Sequence, residues 1–166
     1  MMFENPVAQR LHDDHMAVRA VLERLNSALR STRPNSLPDF SNLELRSALG
    51  EIATVIETEL REHFRLEDDD VFPRLADAGE GAIGTLLAEE HITILALCDQ
   101  VVDLVDRSRK GDLAIEDWAK LWRAATALIE DLLSHIDKEE TGLVPQIEDL
   151  LDADECAEII ARSHAA

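Results

Sequence analysis

Four histidines, each in the middle of an apolar segment, are the residues of this sequence most able to do chemistry. Two of them are followed at i+4 by a glutamate, as His63 is by Glu67 and His135 by Glu139. Residues i and i+4 lie one above the other on a helix, so each pair can reach one ion. A carboxylate that faces a core costs on the order of several kcal/mol unless it is paired, protonated or bound to a metal. The candidate metal ligands are His15, His63, Glu67, His91, His135 and Glu139.

This donor set contains nitrogen and oxygen without thiolate, which suits iron or manganese and permits zinc. Six side chains are too many for one tetrahedral zinc ion. If both glutamates bridge two ions, the side chains supply eight bonds, whereas two octahedral ions want about 12. One bridging oxide or hydroxide adds two bonds and leaves about two positions open. Open positions on redox-active iron predict chemistry with O2, peroxide or NO rather than a purely structural role.

The elements that must position these residues are helices, because apolar residues recur at helical spacing along most of the chain. The first helix follows an Asn5 N-cap and Pro6, and a short last helix follows a cap formed by Asp152 and Glu155. Glycines mark the connection before the third helix. The first predicted helix runs from Pro6 to about Arg30, and the second from a Ser41–Glu44 capping box to a stop before Pro73. The third begins after the turn region of Gly79, Gly81 and Gly84 and ends near Gly111. The fourth follows this end and stops at Gly142 and Pro145.

The sequence also contains an internal repeat. His15 and His91 occupy equivalent places within two apolar stripes of the same spacing, and the segment 63–73 matches the segment 135–145, which brings His63 onto His135. Two stacked helical hairpins make a four-helix bundle. We therefore predict an all-α fold, an up-down-up-down four-helix bundle of two duplicated hairpins. A single domain would cover residues 1–166, with the bundle over about 6–145 and a short helical tail over 146–166.

These residues resemble the hemerythrin-like, or HHE-type, cation-binding domains over roughly residues 8–145. The similarity is carried by LHDDH with His15, by HFRLED and FP with His63 and Glu67, by EEH with His91, and by HIDKEE and VP. The resemblance implies an up-down bundle with a non-haem di-iron centre bridged by oxide or hydroxide, although manganese or zinc are also possible. The small ligand would be a diatomic molecule or peroxide.

Two positions differ from the oxygen-carrying hemerythrins. Position 95 is leucine where those proteins have a further histidine on the third helix, and Glu139 replaces an aspartate one residue further along. One imidazole fewer favours peroxide turnover or irreversible oxidation over reversible O2 carriage. Whether the chain is an enzyme stays open at this point. The alternatives are a non-catalytic module for iron storage, sensing or transfer, and an acidic interaction protein with a structural metal.

The composition argues against other functions. The chain has 166 residues with 35 acidic and 16 basic side chains, a net charge of −19. Such a chain repels phosphate backbones and anionic lipids, so we expect neither nucleic-acid nor membrane partners. No apolar run approaches the ~20 residues of a membrane span, and the N-terminal residues do not resemble a signal peptide, which predicts a cytoplasmic protein. Two distant cysteines argue against a disulfide framework or a thiolate zinc site.

Other residues near the predicted ligands receive simpler interpretations. His15 lies closer to the centre of its apolar stripe than His12. We therefore expect His12 to be a surface residue, or an outer partner, which contacts a metal ligand without binding the metal itself, or to replace the missing imidazole. Glu59 and Asp131 precede ligands at i−4 and are candidate outer partners, although solvated acids are the more ordinary interpretation. Core packing is expected for Cys98. Solvated positions are predicted for Asp14, Asp68, Asp69, Asp70, Glu90, Glu140 and His164.

Overall fold

The computed structural model describes residues 3–111 and 113–163, so His164 lies outside the described residues. Within these ranges the chain is helical, and the only β-type pairing is a single bridge between Arg33 and Ser36. The all-α prediction is confirmed. The helices are α1 (Pro6–Arg30), α2 (Leu43–Val55), α3 (Arg61–Leu66), α4 (Phe72–Asp77), α5 (Gly81–Arg109), α6 (Ile115–Lys138), α7 (Val144–Leu150) and α8 (Ala153–Ser163).

Three short π-helical segments join some of these helices without breaking them. They are Ile56–Leu60, Glu67–Val71 and Glu139–Leu143. The bundle therefore consists of four long helical segments, or rods, each counted with its π-helical parts. We call them the first to fourth bundle helices, and they cover residues 6–30, 43–77, 81–109 and 115–150. Each rod contacts the next one in sequence, and the fourth also contacts the first.

The predicted stops before Pro73 and at Gly142 and Pro145 are wrong, because the helices continue through these residues. Pro73 and Pro145 are each the second residue of the α-helix that follows a π-helical segment. Proline is tolerated in the first turn of a helix, where its missing N–H leaves no bond unmade. The change of hydrogen-bond register at the π segment creates such a turn inside a continuous rod.

The helix caps are partly as predicted. The Asn5 side chain accepts from the backbone N–H groups of Val7 and Ala8, which confirms the first cap. A reciprocal pair of bonds joins Asp152 and Glu155 at the start of α8, at 2.9 and 3.0 Å. The Ser41–Glu44 capping box is wrong, because the N-cap of α2 is Asn42, whose side chain accepts from the N–H groups of Glu44 and Leu45.

The glycines before the third bundle helix play different roles. Gly79, with φ of +90°, supplies the left-handed conformation of the turn after α4. Gly81 and Gly84 lie within α5 rather than in the turn, which corrects their predicted place. A Cβ at Gly84 would lie 3.0 Å from the Phe72 side chain, so glycine allows Phe72 to approach the third bundle helix.

Two clusters of buried apolar residues flank the layer of histidines. The larger cluster includes Val18 and Ile94, whereas the smaller one includes Leu11 and Leu87. On both helices the predicted ligand, His15 or His91, lies between the two clusters in sequence. α8 covers the end of the smaller cluster, to which it contributes Cys156 and Ile159, and the larger cluster contains Cys98 as predicted.

One of the described helices, α5, is long and apolar enough to cross a membrane by length and composition alone. Its buried residues, among them Leu87, Ile94 and Val101, belong to the core of the bundle. A bundle helix with an apolar buried face passes the same test, so this feature carries no membrane assignment. The absence of a membrane partner stays a prediction.

Candidate metal centre

The structure brings the six predicted ligands together in one buried layer. Their exposed fractions range from 0% for Glu67, His135 and Glu139 to 7% for His63. They form two groups in which all donor atoms lie within 4.8 Å of one another. One group is His15, His63, Glu67 and Glu139, and the other is Glu67, His91, His135 and Glu139. Both glutamates belong to both groups.

Each glutamate turns one oxygen toward each histidine pair. Glu139 Oε2 lies 2.9 Å from His15 Nε2, and Glu139 Oε1 lies 2.9 Å from His135 Nε2. Glu67 Oε1 lies 3.5 Å from His63 Nε2, whereas Glu67 Oε2 lies 3.4 Å from His91 Nε2. This is the arrangement in which a carboxylate bridges two ions.

The two glutamates occupy equivalent backbone positions. Glu67 is the first residue of one π-helical segment, and Glu139 is the first residue of another. Single π turns inside α-helices are frequent at functional sites because they re-aim side chains. Here the two turns begin at the residues that would connect the two ion positions.

A carboxylate from a neighbouring bundle helix lies beside the Nδ1 atom of each ligand histidine. Each bundle helix supplies the carboxylate that pairs with the histidine of the next bundle helix. Because the fourth bundle helix supplies the carboxylate for the histidine of the first, the pairs form a closed ring. Pairing of this kind fixes the orientation of a ligand imidazole and strengthens it as a donor. These outer carboxylates are Asp14 to His63 at 3.3 Å, Asp68 to His91 at 2.9 Å, Glu90 to His135 at 3.0 Å, and Glu140 to His15 at 2.5 Å.

The prediction that these four acids are solvated holds for Asp68, which is exposed, and Asp14 also keeps 43% of its side chain accessible. It is wrong for Glu90 and Glu140, which are 25% and 19% exposed, and it missed that all four acids pair with an imidazole. Each is adjacent in sequence to a ligand, and its side chain therefore points away from that ligand and reaches the next helix. Asp70 is also buried, at 5% exposed, where Arg162 of α8 donates to it at 2.9 Å. Asp69 is exposed as predicted. Among the described contacts, the histidine Nδ1 atoms pair with the outer carboxylates rather than with Glu59 or Asp131.

The internal repeat contains a signal for the outer carboxylates. Asp14 and Glu90 are equivalent in the two halves, each directly before a ligand histidine. Asp68 and Glu140 are likewise equivalent, each directly after a ligand glutamate. An acid at equivalent positions in both halves and directly beside a ligand could have been recognised as part of the site, whereas the equivalent acids Glu59 and Asp131 are not adjacent to a ligand.

The residues present fit a pair of metal ions. Because the carboxylates can only accept, each histidine donates its Nδ1–H and directs the lone pair of Nε2 inward. The Nε2 atoms of His15 and His63 are 3.2 Å apart, and those of His91 and His135 are 3.1 Å apart. In the metal-free chain a proton satisfies such a pair of nitrogens, and in the loaded chain a metal ion would take its place. The four oxygens of Glu67 and Glu139 are buried and make no well-aligned hydrogen bond to the described residues, although imidazole nitrogens lie 2.9 Å from both oxygens of Glu139.

Proton affinities in the centre are strongly altered. Burial raises the pKa of Glu67 well above its ordinary value, and Glu139 raises it further. Burial alone would also raise the pKa of Glu139, but the imidazoles of His135 and His15 hold it well below its usual range. Burial would lower the pKa of His15, yet the carboxylates of Glu139 and Glu140 raise it to about 9. Without a metal, protons thus balance the buried charge, and metal binding would displace them.

A cavity of about 130 Å³ lies between the first and second bundle helices and reaches His15 and His63. Its walls include the apolar side chains of Val18, Leu60, Leu132 and Ile136. One of the two candidate ion positions therefore adjoins a space that a small molecule can enter.

The other ion position is covered. The Phe64 ring stacks on His91 with a centroid distance of 3.8 Å, and Phe72 lies 5.7 Å from the same imidazole. A surface cavity between the third and fourth bundle helices is lined by Glu90 and Lys138, but neither His91 nor His135 lines it. Lys138 donates to Glu90 at 2.6 Å across this region.

His12 lies outside both groups of ligands. Its Nδ1 atom is 2.7 Å from Glu140 Oε2, on the outer side of the carboxylate that pairs with His15. It therefore takes the place of an outer partner and does not replace the missing imidazole. Leu95, at the position of the further histidine in the oxygen carriers, packs against the larger apolar cluster.

A helical bundle with a buried layer of four imidazoles and two shared carboxylates defines this chain as a metal-binding bundle protein. A family model described as the hemerythrin HHE cation binding domain matches residues 7–147. The chain therefore belongs to this family, and the family resemblance is confirmed. None of the curated proteins compared with the chain matches it.

Proposed function

We propose that this protein holds two iron ions between Glu67 and Glu139 and that it reacts with O2, peroxide or NO there. The observation that carries the proposal is the sharing of both glutamates by two groups of histidines. The terminal donors would be His15 and His63 for one ion, and His91 and His135 for the other. Four side-chain donors per ion are fewer than the six of an octahedral ion, so room is left for solvent or a small ligand.

Iron suits the donor set best, because imidazole and carboxylate are its common ligands in redox proteins and no thiolate belongs to either group. When bound, iron would supply Lewis-acid and redox chemistry. The chain contributes the positions of the donors, the four outer carboxylates and the two apolar clusters that flank the layer.

The cavity beside His15 and His63 supports a small substrate. Its volume of about 130 Å³ holds a few molecules the size of water, which occupy roughly 30 Å³ each in the liquid. Dioxygen, nitric oxide and hydrogen peroxide fit such a space. The ligand would therefore approach the ion held by His15 and His63.

The outer carboxylates favour a reaction over reversible carriage. Each ligand imidazole donates its Nδ1–H to an acid, which makes that imidazole a stronger donor to a metal ion. Stronger donors stabilise the more highly charged oxidation state. An iron pair that resists return to its reduced state suits a stoichiometric oxidative response better than release of intact O2.

The test is iron analysis of the purified chain with absorption spectra before and after addition of peroxide. We expect two irons per chain and near-ultraviolet charge-transfer absorption. Release of oxygen on repeated additions of peroxide would indicate an enzyme, and a slow stoichiometric spectral change would indicate sensing or storage. One zinc ion per chain, or no metal after growth with sufficient iron, would contradict the proposal.

A further inference from the structure

Glu140 lies between two imidazoles, and each of its oxygens accepts from one of them. Oε1 is 2.5 Å from His15 Nδ1, and Oε2 is 2.7 Å from His12 Nδ1. We propose that His12 is a positioning residue, which holds Glu140 in the orientation that keeps His15 directed at its ion. The inference rests on the proposed function, because the orientation of His15 matters in this way only if His15 binds a metal.

Glu140 depends on this support more than the other outer carboxylates would. Its side chain is 19% exposed, compared with 25% for Glu90, 38% for Asp68 and 43% for Asp14. A carboxylate in so buried a place loses part of its hydration and needs donors from the protein. Without His12, one oxygen of Glu140 would lack its donor, and the side chain would turn toward solvent and away from His15.

His12 is itself held in place by the N-terminal segment. The Phe3 ring contacts the His12 ring edge-on, with centroids 5.5 Å apart. The backbone N–H of Phe3 donates to the Gln9 side chain at 2.8 Å, which fixes this segment against α1. The His12 side chain is 12% exposed. A fixed imidazole can hold a carboxylate with little further loss of conformational entropy.

The second half of the repeat lacks this arrangement. The residue that the repeat places opposite His12 is Ala88. The equivalent acid, Asp68, pairs with His91, and no second imidazole of the described residues pairs with it. The support of His12 therefore belongs to one ion position. This position is also the one that the cavity reaches.

The experiment measures the release of Co²⁺ from the loaded chain to an excess of chelator. Changes to outer partners of metal ligands typically cost about 10- to 100-fold in metal affinity. His12 contacts the outer carboxylate Glu140 and not the ligand His15 itself, so its loss should have a smaller effect. We expect about three- to tenfold faster release of one ion from His12→Leu. His12→Asn should stay within about twofold of the wild type, since its amide N–H stands where Nδ1–H stood. His164→Leu is the control and should release both ions at wild-type rates.

The asparagine variant separates positioning from packing. Both substitutions remove the imidazole that packs against Phe3, so a packing role predicts the same faster release from both. Wild-type rates for His12→Leu, or equally fast release from His12→Asn, would overturn the inference. If His12→Leu does not fold, His12→Ala replaces it. A wild-type chain that binds no Co²⁺ contradicts the proposed metal site itself, and this outcome is seen before any variant is compared.

Discussion

The two proposed ion positions have the same kinds of candidate ligand but different surroundings. A cavity reaches His15 and His63, whereas Phe64 and Phe72 cover His91. The repeat places Ile136 opposite Phe64 and Val144 opposite Phe72, so small changes in apolar side chains separate the two halves. A duplicated sequence can thus keep two equivalent sets of ligands while only one position is open to a ligand from solvent.

The largest expected effect comes from a residue that both halves share. Glu139 contributes one oxygen to each group, so Glu139→Ala should remove both ions rather than one. Metal analysis after growth with iron should find almost none. Asp131→Ala is the matched control, since Asp131 lies on the same rod outside both groups and should leave two ions in place. Retention of two ions by Glu139→Ala would contradict the bridging role.

Loss of a ligand from one half of the repeat should lower the metal content of that half first. His135→Ala removes one imidazole from the group that contains His91, and its iron content should fall by at least one ion per chain. His164→Ala should retain the wild-type iron content. Equal iron in the two variants, measured after identical purification, would show that His135 is not a ligand.

The outer carboxylates should have intermediate effects. Glu90→Gln removes the negative charge beside His135 Nδ1 and leaves one carbonyl oxygen where two carboxylate oxygens accept from His135 and Lys138. Loss of this kind of partner lowers metal affinity about 10- to 100-fold. Competition with a chelator measures the change, and Glu89→Gln provides a neighbouring control. Equal affinities for Glu90→Gln and the wild type would rule out a role of the Glu90 charge in metal binding.

A substitution that narrows the cavity should slow the reaction with peroxide and leave the metal content unchanged. Thr58→Trp places a large ring at the lining of the cavity, whereas Glu130→Trp makes the same change at the equivalent position of the second, covered half. Both residues are exposed. We expect about threefold to tenfold slower reaction with peroxide for Thr58→Trp, up to about 1.4 kcal/mol in the barrier. Stopped-flow spectroscopy checks this, and equal slowing in both variants would show that access is not one-sided.

The helical bundle and the layer of ligands were predictable because both follow from periodicity within single helices. A residue such as His63 lies on an apolar stripe, and its i+4 glutamate follows from the geometry of one helix. The prolines were misleading because a π-helical segment changes the hydrogen-bond register, and Pro73 then falls in the first turn of α4. Nothing in the apolar pattern marks such a segment.

The outer carboxylates were missed for a different reason. Asp14 points away from His15, its neighbour in sequence, and this is correct for one helix. Its actual partner, His63, belongs to the next helix, and the distance between them depends on how the two rods pack. The cavity also depends on packing, since its walls come from three bundle helices.

The central claim is that two ions lie between Glu67 and Glu139. Anomalous diffraction from crystals of the iron-loaded chain, collected above and below the iron absorption edge, tests this claim most directly. We predict two iron peaks per chain, one beside His15 and His63 and the other beside His91 and His135. A single peak, or peaks away from both glutamates, would contradict the claim.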